Sequence, residues 1–214
     1  MTVGNQALAR RDEPRLLGDV ILEDANRVET VRMAAGPEAE LFIDANCSLD
    51  LYHARQLCQM IEPFHIEFFE EPITQNDIRH MAELRSQTTI RLACGQNEGQ
   101  AYRFRDMMIA GAVDIIQPNV AITGGFTQCQ KIAALANSFN ISVDNGGAWP
   151  FFNQHLQAGL SNGGLVEYHY SSVEVCKRLY TGLPEPKQGW LTMTDAPGLG
   201  FELNTAALSH FEID

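Results

Sequence analysis

Two adjacent carboxylates at the end of a short apolar run are the first residues whose types suggest chemistry. In HIEFFEEPI, residues 65–73, the run Ile66, Phe68, Phe69 stops at Glu70 and Glu71, and Pro72 follows. Such a run between helical patterns reads as a buried strand of a parallel sheet. Its carboxyl end is where α/β sheets and barrels build their sites. Carboxylates held away from water there are costly unless something cationic receives them. A divalent metal is the natural candidate.

The same theme recurs at regular spacing. Asp44 lies 26 residues before Glu70 and closes the run Leu41, Phe42, Ile43; Gln96 lies 26 residues after it, just past Ile90–Cys94. Further polar side chains end later apolar runs: Asn119 after 114–117, Asn145 after 141–143, and Glu167 after Leu165 and Val166. One strand, loop and helix take about this much chain in a βα unit. An oxygen-bearing side chain at each strand end is the pattern of a barrel mouth.

The elements that must position these residues follow in order. Residues 19–35 read as a helix ended by Gly36-Pro37, and 39–44 as a strand. Ser48 is placed to cap a helix over 49–61, and Pro63 closes it. After the Glu70 strand come a helix over 76–85, a strand over 90–94, a helix over 101–110 and a strand over 113–116. Gly124-Gly125 opens a helix over 126–138, followed by a strand at 141–143, a helix near 151–160 and a strand at 165–168. Residues 171–214 lose this rhythm and read as a hairpin and closing segment, while 1–18 read as the remnant of a strand near Met1 and a loop. The expected fold class is therefore α/β, a (β/α) TIM-type barrel in one domain over 1–214. It has six to seven strands where a closed eight-stranded barrel takes about 250 residues.

Composition narrows the partners. A chain of 214 residues that is 45% hydrophobic can bury one sizeable core. A net charge of −12 disfavours nucleic acid and anionic membrane as partners. The five cysteines are odd in number and lack a CxxC pair, which reads as reduced thiols in a cytoplasmic protein. No run approaches the ~20 apolar residues needed to span a bilayer.

With these residues in place, the chain resembles the enolase superfamily, in its mandelate racemase/muconate lactonizing enzyme branch, nearest the sugar-acid dehydratases. The resemblance rests on Asp44-Ala45-Asn46, Glu70-Glu71-Pro72, Gly95-Gln96-Asn97-Glu98, AGAVDIIQPNV ending at Val120, Gly124-Gly125 and Pro197-Gly198-Leu199-Gly200, in the family's order and spacing. It implies Mg²⁺ held at three strand ends, a small-molecule carboxylate substrate, and removal of the proton α to that carboxylate. It carries Asp44 and Glu70 over as metal ligands, with Gln96 where the family has a third carboxylate and Glu98 as the alternative. The family's His–Asp dyad falls on Asn145 and Asn119, neither of which can act as a general base. Its lysine pair would fall at or before Thr2, and its N-terminal capping domain has no counterpart here.

The expected function is thus Mg²⁺-assisted dehydration of a sugar acid, with Asp44, Glu70 and Gln96 on the metal and Asn119, Asn145 and Glu167 facing the substrate. The rivals are a catalytically silent, truncated barrel fragment and a sugar-acid binding module. An open sheet edge leads to the expectation of homo-oligomers. Glu71 reads as structural, His155 as packed, His169 as the histidine nearest the chemistry, and Cys47 and Cys94 as small core residues.

Overall fold

A computed structural model describes residues 17–210. Helix α1 (Leu17–Ala35) ends at Gly36, whose φ of 84° suits a residue without Cβ and whose N–H donates to Arg32 O at 3.0 Å. Arg32 then fastens this end to the approaches of two strands. Its guanidinium donates to Phe64 O (2.9 Å), Ala39 O (2.6 Å) and His65 O (2.9 Å).

Six strands alternate with helices along the chain. They are β1 (Leu41–Asp44), β2 (Ile66–Glu70), β3 (Arg91–Cys94), β4 (Ile115–Ile116), β5 (Ser142–Asn145) and β6 (Gly163–Val166). The sheet takes them in sequence order, and the pairs β1–β2, β2–β3 and β5–β6 are parallel. Between them lie α2 (Leu51–Ile61), α3 (Ile78–Arg85), α4 (Ala101–Ile109), α5 (Gly125–Ser138) and α6 (Pro150–Ala158). Then come α7 (Tyr170–Leu179), an antiparallel pair β7 (Tyr180–Thr181) and β8 (Glu202–Leu203), and α8 (Thr205–His210).

The chain divides into two compact units, one of 17–94 with 106–115 and one of 95–105 with 116–210 among the described residues. In the first, the inward faces of α2 and α3 bury Ala54, Leu57, Ile61, Met81 and Leu84. Phe68, Ala93 and Ile115 form a core cluster joined by Phe42, whose ring centroid is 4.7 Å from that of Phe68. In the second, Val120, Cys129 and Leu156 form one cluster. Phe151, Val173 and Cys176 form another, rimmed by Tyr168, Tyr180 and Phe201.

Several boundaries differ from the sequence reading for identifiable reasons. Helix α2 is capped by Asp50, whose carboxylate accepts the His53 N–H at 2.9 Å, and not by Ser48. Leu49 is already spent in an extended bridge to Ile73, so the helix cannot begin there. Helix α3 begins at Ile78 because Gln75 and Asn76 take left-handed backbone and Asp77 supplies the cap. Strand β6 lies at 163–166, two residues earlier than read, and Tyr168 instead packs its ring on Phe151, 5.9 Å between centroids. Helix α7 was not anticipated. The suggested strand near Met1 falls outside the described residues.

Candidate active site

The first unit presents a carboxylate edge. Asp44 and Glu70 end neighbouring parallel strands and are register partners. Partners across such a pair sit about 4.8 Å apart with side chains on one face. Two residues back on the same face, Phe42 and Phe68 are also register partners, so an aromatic layer underlies the two carboxylates. Asp44 is held by Asn46, whose backbone N–H donates to Oδ1 (2.7 Å) and whose Nδ2 donates to Oδ2 (2.8 Å). These bonds orient the carboxylate.

Backbone pairing continues past the strand ends and stiffens this edge. Ala45 N–H donates to Glu70 O, Cys47 N–H to Glu71 O and Thr74 N–H to Leu49 O. Glu71 is 1% exposed and serves this scaffold, as the sequence suggested, through partners not foreseen. It accepts from Asn76 Nδ2 at 2.8 Å and from the Cys47 thiol. Burial, then the Glu71 charge, pushes the Cys47 thiol up to about 12, so this cysteine is an inert hydrogen-bond donor near neutrality. Cys94 is fully buried, as expected of a small core residue.

The second unit presents an edge of amides. Gln96, 8% exposed, lies two residues beyond the end of β3. The preceding Gly95 must be glycine: its φ is 123°, and a Cβ there would come 2.6 Å from the Phe104 ring. Gln96 packs against the turn after β5, where a Cβ on Gly147 would lie 3.1 Å from its own Cβ. Glu98, the alternative third ligand, is committed elsewhere. Its carboxylate meets the Arg103 guanidinium in two bonds of 3.1 Å each.

Asn119 is fully buried, and both ends of its amide are engaged within the protein. Nδ2 donates to Gly146 O, Gly147 O and Ala148 O at 2.8, 2.9 and 3.1 Å, and Oδ1 accepts from Ala121 N–H and Asn153 Nδ2. Asn145, 3% exposed, donates to Gly146 O, while its Oδ1 has no hydrogen-bond partner. Glu167 is half-buried, with Oε2 accepting the Ala148 N–H at 2.7 Å. Nδ1 of His169 is a further buried atom lacking a partner. His155 is packed, with Nε2 3.0 Å from Leu199 O and its ring edge-on to Phe126.

Two features of this edge were not read from the sequence. One is Asn153, fully buried in the first turns of α6. An asparagine directly after the apolar run Pro150-Phe151-Phe152 was the available signal, since it is a weak helix former and costly to bury. The other is a cavity of about 280 Å³ lined by Val120, Ala121, Phe126, Trp149, Phe152 and Tyr180.

Among the described residues, no three His, Cys, Asp or Glu side chains are grouped as a metal cluster would require. The candidate ligand set contains only two such residues, Asp44 and Glu70, because its third member is an amide.

Comparison with known proteins settles the family. A family model described as enolase C-terminal domain-like matches residues 11–207. D-galactarolactone cycloisomerase of Agrobacterium fabrum is 29% identical over 92% of this chain and 55% of its own length. Arabinonate dehydratase of Saccharolobus solfataricus is 26% identical over 89% and 52%. The chain thus spans about half the length of the curated relatives it matches. Among solved structures, a mandelate racemase/muconate lactonizing enzyme from a marine actinobacterium in complex with magnesium is 32% identical. It superposes with a TM-score of 0.81 over 89% of this chain and 54% of that one. L-talarate dehydratase from Polaromonas sp. JS666, complexed with Mg and L-glucarate, is 28% identical, with a TM-score of 0.81 over 88% and 51%. With its α/β architecture, six-stranded sheet and motifs in register, the chain belongs to the enolase C-terminal domain-like family, in the mandelate racemase/muconate lactonizing branch.

Proposed function

We propose that this chain carries metal-ligating and substrate-facing residues of an enzyme that removes the proton α to the carboxylate of a sugar acid, as a dehydratase. The observation that carries this reading is the register pairing of Asp44 with Glu70 at the ends of β1 and β2. Asp44 and Glu70 are taken as ligands of Mg²⁺, and Gln96 as the third by its place in the family's motif. The donor set fits the ion, since all three offer hard oxygen atoms and Asp44 is already oriented by Asn46. Relative to three carboxylates, the amide removes one negative charge, so weaker metal binding is expected. Bound there, Mg²⁺ would supply positive charge to the substrate carboxylate and lower the cost of losing the adjacent proton.

The chain's own groups divide the remaining work. Asn145 Oδ1, buried and without a partner, is suited to accept a bond from a substrate hydroxyl. Glu167 is the ionisable member of the three substrate-facing candidates. One of its oxygens is fixed by the Ala148 N–H, which leaves the other to hold or take a proton. Relatives named for a cycloisomerase and two dehydratases of sugar acids support the substrate class. A binding-only module is the second reading, favoured by the unpartnered amide oxygen of Asn145.

Turnover on a panel of aldonic and aldaric acids with Mg²⁺ separates the two. Loss of water from at least one acid, abolished by Glu167→Gln, is expected of the enzyme. Saturable binding without turnover across the panel would leave the binding module. Assembly into homo-oligomers belongs to the same proposal, and sedimentation of the chain as a monomer at micromolar concentration would remove it.

A further inference from the structure

The turn leaving β5 is strained backbone within the second unit. Gly147, Ala148 and Trp149 take left-handed conformations in succession, with φ of 73°, 68° and 60°. For a residue bearing a side chain this costs about 1–2 kcal/mol. Such a run persists only where its surroundings hold it firmly.

Two buried amides supply that hold. Asn119 Nδ2 donates to the carbonyls of Gly146, Gly147 and Ala148. Asn153 Nδ2 donates to the carbonyls of Ala148 and Trp149, each at 3.1 Å, and to Asn119 Oδ1. Backbone donors fix the opposite ends: Ala121 N–H to Asn119 Oδ1 at 2.9 Å and Val120 N–H to Asn153 Oδ1 at 3.0 Å. The orientation of both amides follows, because turning either over would set its oxygen against carbonyl oxygens.

The turn so held carries two things of consequence. Its Ala148 N–H fixes Glu167, and its Trp149 ring forms a wall of the 280 Å³ cavity. We infer that Asn119 and Asn153 are positioning residues, an amide pair that holds the 146–149 turn and through it aims the Glu167 carboxylate. The link to catalysis rests on the role proposed above for Glu167; the hold on the turn does not. A carboxylate at 119 therefore does not recreate a working acid–base group. It places negative charge against three carbonyl oxygens and withdraws the Asn119 donor from each, leaving Gly146 O only Asn145 Nδ2 and Ala148 O only Asn153 Nδ2 as side-chain donors.

Amide hydrogen exchange by NMR on the full chain tests this, with Trp149 fluorescence read in a Trp190→Phe background. In Asn119→Asp at neutral pH, protection of the Ala148 N–H should fall roughly a hundredfold, while buried amides of α5 such as Ile132 lose far less. Trp149 emission should shift with it. Burial among carbonyls raises the introduced carboxyl's pKa above its ordinary value. The turn is then held below that raised pKa, where the acid form donates a hydrogen bond, and released as pH rises through it. Recovery of Ala148 protection on acidification is the readout that a simple packing defect would not produce.

Asn153→Asp, which keeps the acceptor for Val120 and loses the donors, should cause the same selective loss and serves if the first variant does not fold. Ala148 protection unchanged in a folded variant, or lost only in step with every other amide of the unit, overturns the proposal. Full turnover by Glu167→Gln, with the exchange behaviour as described, would sink the proton-handling role of Glu167 and leave the amide pair standing.

Discussion

The two units solve the same local problem, a polar side chain at the end of a buried strand, in opposite ways. At the first, Asp44 and Glu70 stand paired over the Phe42–Phe68 layer, and the neighbouring Glu71 is buried against Asn76 and the Cys47 thiol. At the second, Asn119 and Asn153 exchange bonds with one turn. Two carboxylates side by side suit a cation, because each raises the cost of ionising the other. Neutral amides satisfied by backbone need no ligand at all, and they rigidify. Asn145 Oδ1 is the exception in the second unit, which is why it is the amide given a substrate-binding role.

Substitutions that damage one edge and spare the other sharpen this contrast. The largest effect is expected from Phe68→Ala, which empties the layer beneath the carboxylates and should cost about 3–5 kcal/mol in urea unfolding. A cost under 1 kcal/mol would mean that layer supports nothing. Asn153→Ala should follow at about 2–3 kcal/mol, since it strands the Val120 N–H and strips donors from two carbonyls. Exchange should then rise first in 116–158, and uniform loss across both units would break the comparison.

Acid should separate the units in a third way. The His53 N–H lowers the pKa of Asp50, the Thr89 N–H that of Glu62 and the His80 N–H that of Asp77. All three belong to the first unit. A depressed folded-state pKa gives stability that is present above the unfolded value, about 4 for these groups, and is lost as pH falls through the folded one. Amides of the first unit should therefore lose protection first as pH falls below about 4. Asp50→Ala, which removes the α2 cap, should cost about 1 kcal/mol at pH 7 and progressively less in acid. The smallest effect is expected from Glu67→Ala. Its pair with Arg91 is about half exposed on both sides, so the change should stay within about 0.5 kcal/mol.

How much of this was legible beforehand follows from the range of each interaction. Apolar runs closed by polar residues located the six strands of the sheet; burial leaves that mark within four or five residues in β2, whereas β6 is exposed from Gly163 to Leu165 and was read two residues late. Helix α7 left a faint one: it opens with Tyr170-Ser171-Ser172 and buries only Ser172, Val173 and Cys176. The Asp50 cap was obscured because Leu49 is claimed by Ile73, a partner 24 residues away that local pattern cannot show. Asp44 and Glu70 were readable from their spacing. The role of Asn119 was not, since the carbonyls it serves lie 27 to 29 residues further on and take their direction from three left-handed residues in a row.

Titration of the chain with Mg²⁺ in a calorimeter, alongside Asp44→Ala and Glu70→Ala, bears most directly on the claim that the paired strand ends hold a metal. Saturable heat from the unaltered chain, absent from both variants while each stays folded by circular dichroism, is the predicted result. An unchanged binding isotherm in either folded variant would contradict it.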